Sequence, residues 1–188
     1  MSTLSAKIKA VNKIYSDLDK QQSGFQKKAC ISCVQNCGMC CTKPDISATV
    51  LEFLPAAQDL FIREAYEEIL EKTNDPDNSV CVFHNPFSPD GSCSIYHHRG
   101  LICRLFGFSV NNDKYGNRKL ISCKPIKETM DPELVNLHLE SAPAAAPYYM
   151  RLSSIDPKLA MRHLPINQAI REALELVLLD SHFRKKPA

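Results

Sequence analysis

Apolar side chains recur at three- and four-residue steps through the first part of the chain, with lysine and aspartate between them. The positions are Leu4, Ile8, Val11, Tyr15 and Leu18. An α-helix turns once about every 3.6 residues, so this spacing places the apolar groups on one face. The pattern predicts an amphipathic helix over residues 3–22, which decays at Gly24 unless a further turn carries it to Lys28.

Two further helices are predicted before residue 73. Ser47 precedes an apolar run and has the chemistry of a helix N-cap, because its hydroxyl can accept a hydrogen bond from a free backbone N–H. Pro55 should break or kink this short helix, since proline lacks the N–H that continues the hydrogen-bond ladder. A longer helix is predicted over residues 57–72.

Short extended segments are predicted in the middle of the chain. Residues 80–83 and 93–96 are typical of two short strands, and residues 97–105 are typical of a helical turn. Residues 106–110 and 119–123 suit a hairpin, because the polar segment between them contains turn-forming asparagine and glycine.

The final third of the sequence has a helical pattern. Asp131 followed by Pro132 predicts a helix start, because aspartate caps a helix and proline suits its first position. Pro165 opens a clean apolar stripe, which predicts the last helix up to about Asp180. The Ala/Pro-rich segment 142–146 has no clear period, and its structure is left open.

These elements predict an α+β fold, in which short antiparallel strands surround a small cysteine-rich metal-binding core and helices flank it at both ends. Residues 1–29 would form an N-terminal amphipathic helix, residues 30–125 the cysteine-cluster domain and residues 126–188 a helical region packed on it, all within one domain. A chain of 188 residues can bury a core without disulfides or metal. The cysteines therefore need another explanation than the rescue of a small fold.

The overall charge excludes some partners. The formal net charge is +2, from 23 basic and 21 acidic residues, and gives no electrostatic reason to expect nucleic acid. No run approaches the ~18 apolar residues of a membrane span, and lysines interrupt any apolar core of a signal peptide. We therefore expect a cytoplasmic protein without a membrane partner. Thiols stay reduced there, so clustered cysteines are expected to bind metal rather than to form disulfides.

Five of the nine cysteines lie between Cys30 and Cys41. Thiolates two or three residues apart are how a short loop wraps around a soft metal ion. The others are Cys81, Cys93, Cys103 and Cys123, each at the edge of a predicted element. Eight thiolates suit two four-thiolate sites, or one 4Fe–4S cluster with one zinc. The adjacent pair Cys40 and Cys41 favours two neighbouring sites, because successive side chains point in different directions.

The spacing Cys33-x-x-x-Cys37-Gly-x-Cys40-Cys41 resembles that of the CxxCxxCC cysteine-cluster family, which is described as a zinc- or iron-chelating domain. A later segment is similar to the second half of that family, and its matching residues are Cys81, Cys93, Tyr96, Arg99, Cys103 and Arg104. Gly100 stands where the family usually has proline. The resemblance covers about residues 30–125.

The cysteine count and the resemblance together predict a zinc or iron centre. The expected ligands are Cys33, Cys37, Cys40, Cys41, Cys81, Cys93, Cys103 and Cys123. Cys30 has no counterpart in the family pattern, so we expect it to bind no metal. The adjacent His97 and His98 could supply a nitrogen ligand, but the number of thiols makes this unnecessary.

Tyr96, Arg99 and Arg104 are expected to lie next to the ligands. Guanidinium groups there would offset the negative charge of several thiolates and could hold an anionic substrate. The alternative is a structural salt bridge, for example to Glu52.

The resemblance leaves the biochemical role open among three classes. An iron–sulfur enzyme of redox or methyl-transfer type would use an accessible cluster, and a related domain occurs in bacterial flagellin lysine methylases. A structural zinc module would have closed, buried sites. A metal-handling or metal-sensing protein would have exposed thiolates and exchangeable metal. The sequence predicts the centre without deciding among these classes.

Overall fold

The computed structural model describes residues 3–34, 37–75, 78–87 and 92–184. Within them, the chain is mostly helical, with two small antiparallel sheets of two strands each. The helices are α1 Leu4–Ala29, α2 Val50–Ile62, α3 Tyr66–Lys72, α4 Leu101–Leu105, α5 Lys124–Thr129, α6 Pro132–His138, α7 Ala145–Ile155, α8 Pro157–Met161 and α9 Ile166–Arg184, with short 3-10 turns at Tyr96–His98 and Leu139–Ser141. The strands are β1 Ser47–Thr49, paired with β4 His163–Pro165, and β2 Ser109–Asn112, paired with β3 Arg118–Ile121. This architecture confirms the predicted α+β class.

Helix α1 continues past its predicted end at residue 22. Gly24 lies inside the helix, where a Cβ added to it would meet no atom within 4 Å beyond the backbone of the helix itself. Beyond it, Phe25 and Ala29 are fully buried and extend the apolar face. Burial of a phenylalanine contributes about 1.5–3 kcal/mol, which exceeds the ~1 kcal/mol that an interior glycine costs. The helix therefore runs on to Cys30, whose left-handed backbone (φ 50°) ends it.

Helix α2 begins two residues later than the predicted cap implies. Ser47 lies in β1, and the residue that caps α2 is Thr49. The pairing of β1 with β4 explains the shift, because Ala48 is aligned with Leu164 and is held in extended conformation. The prediction that Ser47 caps the helix was wrong, since the partner strand lies more than a hundred residues away in the sequence.

Pro55 lies inside α2 and does not end it. Every residue from Val50 to Ala57 is buried. Burial on all sides outweighs the ~3 kcal/mol cost of a proline in a helix interior. The predicted helix over residues 57–72 is instead interrupted between α2 and α3, where Glu64 adopts a positive φ of 55°.

The two strands predicted at residues 80–83 and 93–96 do not form. These segments make turns that meet at one bridge, between His84 and Cys93. The N–H of Cys81 donates instead to the carbonyl of Cys41, at 2.9 Å. The backbone N–H of Cys81, which a strand at residues 80–83 would have used for pairing, is therefore bonded to the cysteine loop.

The predicted hairpin and the last helices agree with the structure. β2 and β3 pair with Val110 opposite Leu120, which confirms the hairpin. Asp131 caps α6 and accepts hydrogen bonds from the next turn, as predicted. α9 follows Pro165 and extends a few residues beyond its predicted end. Helix α7 begins at Ala145, near the end of the Ala/Pro-rich segment that the sequence left open, and Ala144 just before it forms a bridge with Val110.

Two apolar clusters form the core. The larger one joins α1, α2, α7 and α9, with α2 packed between α1 and α9. The smaller one joins the end of α1 to the β2–β3 hairpin and to α5 and α6. Both clusters contain residues from each of the three predicted segments, 1–29, 30–125 and 126–188. The boundaries of these segments stay predictions. Within the described part of the chain, no helix is long and apolar enough to cross a membrane.

A buried carboxylate joins α2 to α4. Glu52 is fully buried, and its Oε1 accepts hydrogen bonds from the backbone N–H and the hydroxyl of Thr49, at 3.0 and 3.1 Å. Its Oε2 accepts the backbone N–H of Ile102 at 2.8 Å. Burial raises the pKa of Glu52, and these hydrogen bonds oppose the shift. The carboxylate thereby satisfies free N–H groups at the starts of two helices.

Replacing this carboxylate by an amide tests its role. Glu52→Gln keeps the shape of the side chain, but its NH₂ group must face either Ile102 N–H or the Thr49 donors. We expect the free energy of unfolding in urea to fall by about 1–3 kcal/mol, the cost of a buried unsatisfied donor. The exposed Glu67→Gln should stay within about 0.5 kcal/mol of the parent protein. Equal stability of both variants would contradict the role of Glu52.

Candidate metal centre

Seven of the nine cysteines line one small cavity, although they come from four separate segments of the chain. They are Cys33, Cys37, Cys40, Cys41, Cys81, Cys93 and Cys103. The cavity has a volume of about 30 Å³, enough for one or two water-sized species. Apolar side chains complete the wall, among them Phe53 of α2 and Ile166 of α9. The fold therefore gathers thiols in a place that is largely dry.

A tight turn sets the direction of the two adjacent cysteines. The N–H groups of Cys41 and Thr42 both donate to the carbonyl of Gly38, at 2.8 and 3.1 Å. In a helical turn, successive side chains are about 100° apart rather than opposite. Cys40 and Cys41 therefore line the same cavity, whereas the sequence argument expected adjacent side chains to diverge into separate sites.

Cys41 is the centre of the thiol group. Its sulfur lies 3.9 Å from that of Cys40, and interactions with the thiols of Cys40, Cys81 and Cys93 raise its pKa. Four sulfurs at about 2.3 Å from a tetrahedral zinc are about 3.8 Å from one another. The Cys40–Cys41 distance thus fits one edge of such a site. Among the described residues, no three His, Cys, Asp or Glu side chains already form a metal site, so the other sulfurs would have to close around an ion.

Neighbouring thiols change one another's protonation. The hydrogen bond with Cys41 lowers the pKa of Cys40 to about 6, and Arg99 contributes to the shift. The pKa of Cys93 is lowered by the same partner, while that of Cys41 is raised because it keeps the shared proton. Since metals bind the thiolate form, Cys40 is ready to act as a ligand at neutral pH.

Two other cysteines of the cavity lack this stabilisation. Although Cys33 is exposed as a residue, partial desolvation of its sulfur raises the pKa of that thiol; burial also raises the pKa of Cys103, and neighbouring thiolates add to both shifts. A bound cation would reverse this effect, because it favours the charged form of each sulfur.

Arg99 brings a fixed positive charge to the cavity wall. Its guanidinium carbon lies 3.8 Å from the centre of the Tyr96 ring, and its Nε donates to the Tyr96 carbonyl at 3.0 Å. Both residues line the cavity. The structure thus places Tyr96 and Arg99 beside the cysteines, and the charge of Arg99 favours the thiolate of Cys40.

Arg104 lies outside the cavity and holds the neighbouring turn. Its side chain is only 5% exposed and forms an ion pair with Asp19. It also donates to the carbonyls of His97 and Arg99. The expected alternative partner, Glu52, binds backbone N–H groups instead. Arg104 therefore positions the turn that carries Arg99.

Two cysteines lie apart from the cavity lining. Cys123 precedes α5 and packs against the smaller apolar cluster, close enough to Cys33 to affect its pKa. Cys30 is exposed at the end of α1, and its sulfur lies 3.9 Å from the carbonyl of Lys27. The structure thus brings seven of the eight predicted ligands together and leaves Cys123 at their edge.

A comparison with protein families identifies the domain in which these cysteines lie. Residues 32–124 match the family model CxxCxxCC, described as "Putative zinc- or iron-chelating domain". The chain therefore contains a domain of the CxxCxxCC family. The match includes all eight predicted ligands and excludes Cys30. Comparisons with curated proteins and with solved structures gave no match.

One histidine beside the CxxCxxCC loop was missed by the sequence analysis. A Cβ added at Gly38 would lie 2.4 Å from Nε2 of His84, so the imidazole packs directly against the loop backbone. The signal was present in the sequence, because a glycine within a ligand loop often marks such a close approach.

Packing around Gly100 explains why this chain has glycine where the CxxCxxCC family usually has proline. Its φ of −62° would suit proline. A Cβ there, however, would lie 2.9 Å from Cζ of Phe53, a fully buried ring that also lines the cysteine cavity. Gly100 therefore makes room for the wall of the candidate centre.

A double-mutant cycle can test this contact. We expect Gly100→Ala to lower the free energy of unfolding by about 1–3 kcal/mol, because the added methyl overpacks the site. Combined with Phe53→Leu, the loss should be smaller than the sum of the two single losses. Gly24→Ala, at an open helical position, should instead raise stability by up to about 1 kcal/mol. Strict additivity at Gly100 and Phe53 would exclude the proposed contact.

Proposed function

We propose that the cysteine cavity binds zinc or iron through thiolates, and that the bound metal holds together the four chain segments around it. The observation that carries this proposal is the convergence of seven cysteines, distant in sequence, on one cavity with apolar walls. Neutral thiols gain little from such clustering. Thiolates around a cation are strongly stabilised, and the binding free energy becomes folding free energy.

The most closely associated sulfurs would supply the first ligands. These are Cys40, Cys41, Cys81 and Cys93. The remaining lining residues, Cys33, Cys37 and Cys103, would serve a second, neighbouring ion, with Cys123 beside Cys33 as its fourth ligand. This division gives four thiolates to each ion, the number preferred in structural zinc sites.

Cavity size favours metal ions over a preformed cluster. A volume of about 30 Å³ accepts an ion, whereas a 4Fe–4S cluster adds eight atoms and needs the cysteine loop to move outward. Bound zinc would supply folding free energy without redox chemistry. A 4Fe–4S cluster would supply electron transfer.

A role beyond structure is favoured by one observation. Cys33 is exposed, so one side of the candidate centre is open to solvent. Such access suits a metal-handling protein or an iron–sulfur enzyme of redox or methyl-transfer type, and it is the second candidate function. All nine cysteines are free thiols.

Metal analysis tests the proposal directly. Protein purified without oxygen should contain about one to two zinc or iron ions per chain and no acid-labile sulfide. Sulfide equal to iron would replace the ion model by a cluster and favour the enzyme class. Protein with neither metal nor sulfide, which also fails to take up zinc or iron(II) on titration, would overturn the proposal.

Substitution of Cys41 and of Cys30 should distinguish a metal ligand from a cysteine that binds no metal. Cys41→Ser removes the sulfur that approaches three others, so we expect loss of at least one metal ion per chain and a lower melting temperature. Cys30→Ser, a matched change eleven residues earlier, should alter neither quantity. Full metal content in the Cys41 variant would remove Cys41 from the ligand set.

A further inference from the structure

A polar cleft lies next to the cysteine cavity and shares the wall residues Tyr96 and Arg99 with it. Its volume is about 250 Å³. Pockets for drug-sized ligands are typically about 300–1,000 Å³. The cleft therefore has the size for a small molecule comparable to an amino acid.

The cleft contains one cation without a carboxylate partner. Asp19 and Arg104 both line it, but they form an ion pair with each other. Throughout the part of the chain that the structure describes, Arg99 has no acidic partner, and the only hydrogen bond from its guanidinium to protein uses Nε. Its two NH₂ groups are therefore available to a ligand.

The guanidinium of Arg99 is held in place before any ligand binds. It stacks on the Tyr96 ring and is anchored through Nε, while Arg104 holds the Arg99 carbonyl at 2.9 Å. A fixed fork of N–H donors matches the two oxygens of a carboxylate, and preorganisation lowers the entropy lost on binding.

Another wall of the cleft comes from the C-terminal third of α1. Its polar side chains there are Gln22, Ser23 and Gln26. Backbone N–H groups inside a helix are already bonded, so this wall offers hydroxyl and amide groups but no helix N-terminus for a phosphate. One unpaired guanidinium with neutral polar groups suits a monoanion better than a dianion.

We propose that this cleft binds a small monocarboxylate, with its carboxylate on Arg99 and its other polar groups facing α1. The ligand would lie beside the candidate metal centre and share Arg99 with it. Binding in the cleft does not require metal, so this proposal goes beyond the proposed function and does not depend on it.

An NMR titration of the full chain can test the proposal. The probe is N-acetylglycine, an amino-acid-sized monocarboxylate, and the signals are the Arg99 Nε–H and the backbone N–H of Ser23. We expect saturable shifts with a millimolar dissociation constant, no saturable shift with the neutral N-acetylglycinamide, and weaker binding of inorganic phosphate. Arg99→Lys keeps the charge but removes the fork, and should weaken binding by about tenfold. Arg63→Lys, at an arginine paired with Asp59, should leave the affinity unchanged.

The possible outcomes distinguish a failure of this proposal from a failure of the proposed metal centre. Absence of saturable shifts, equal binding of the neutral amide, tighter binding of phosphate, or unchanged affinity in Arg99→Lys would overturn the monocarboxylate site. Metal content is measured on the same samples. Binding by a metal-free chain would support the cleft alone, whereas a metal-loaded chain that binds no probe would support the centre alone.

Discussion

The repulsion among thiolates confined in an apolar cavity is the constraint on which this structure depends. Several negative charges at short distance in a dry site are costly unless a positive charge is supplied. Without metal, the sulfurs share protons, so that the pKa of Cys40 is lowered while that of Cys41 is raised. Arg99 offsets part of the charge from the wall. A metal cation would remove the rest, which is why metal binding and local folding are expected to be coupled.

Helix α2 connects this cavity to the remainder of the core. It is buried between α1 and α9, and consecutive residues serve different purposes. Glu52 ties the start of α2 to that of α4, the helix that carries Cys103. Phe53 forms part of the cavity wall and packs against Gly100. A change in the packing of α2 would therefore reach the cysteines directly.

The turn at residues 96–99 lies between the cysteine cavity and the polar cleft. Arg104 and Asp19 fix the backbone of this turn, and Arg99 lines both the cysteine cavity and the neighbouring cleft. A carboxylate bound to Arg99 would reduce the positive charge available to the thiolates. The two sites would then be linked reciprocally, because each would change the free energy of binding at the other.

The sequence by itself determined the features that arise from local patterns and ligand chemistry: the amphipathic first helix, the hairpin, the Asp131 cap and the set of cysteines with its family. Only the tertiary structure decided where burial or distant hydrogen bonds outweighed local preference. Packing of Phe25 extends α1 past Gly24, and the burial of α2 on all sides outweighs the cost of Pro55 inside that helix. The bond from Cys81 to Cys41 replaces a predicted strand. These outcomes depend on partners remote in the chain, which short-range periodicity does not contain.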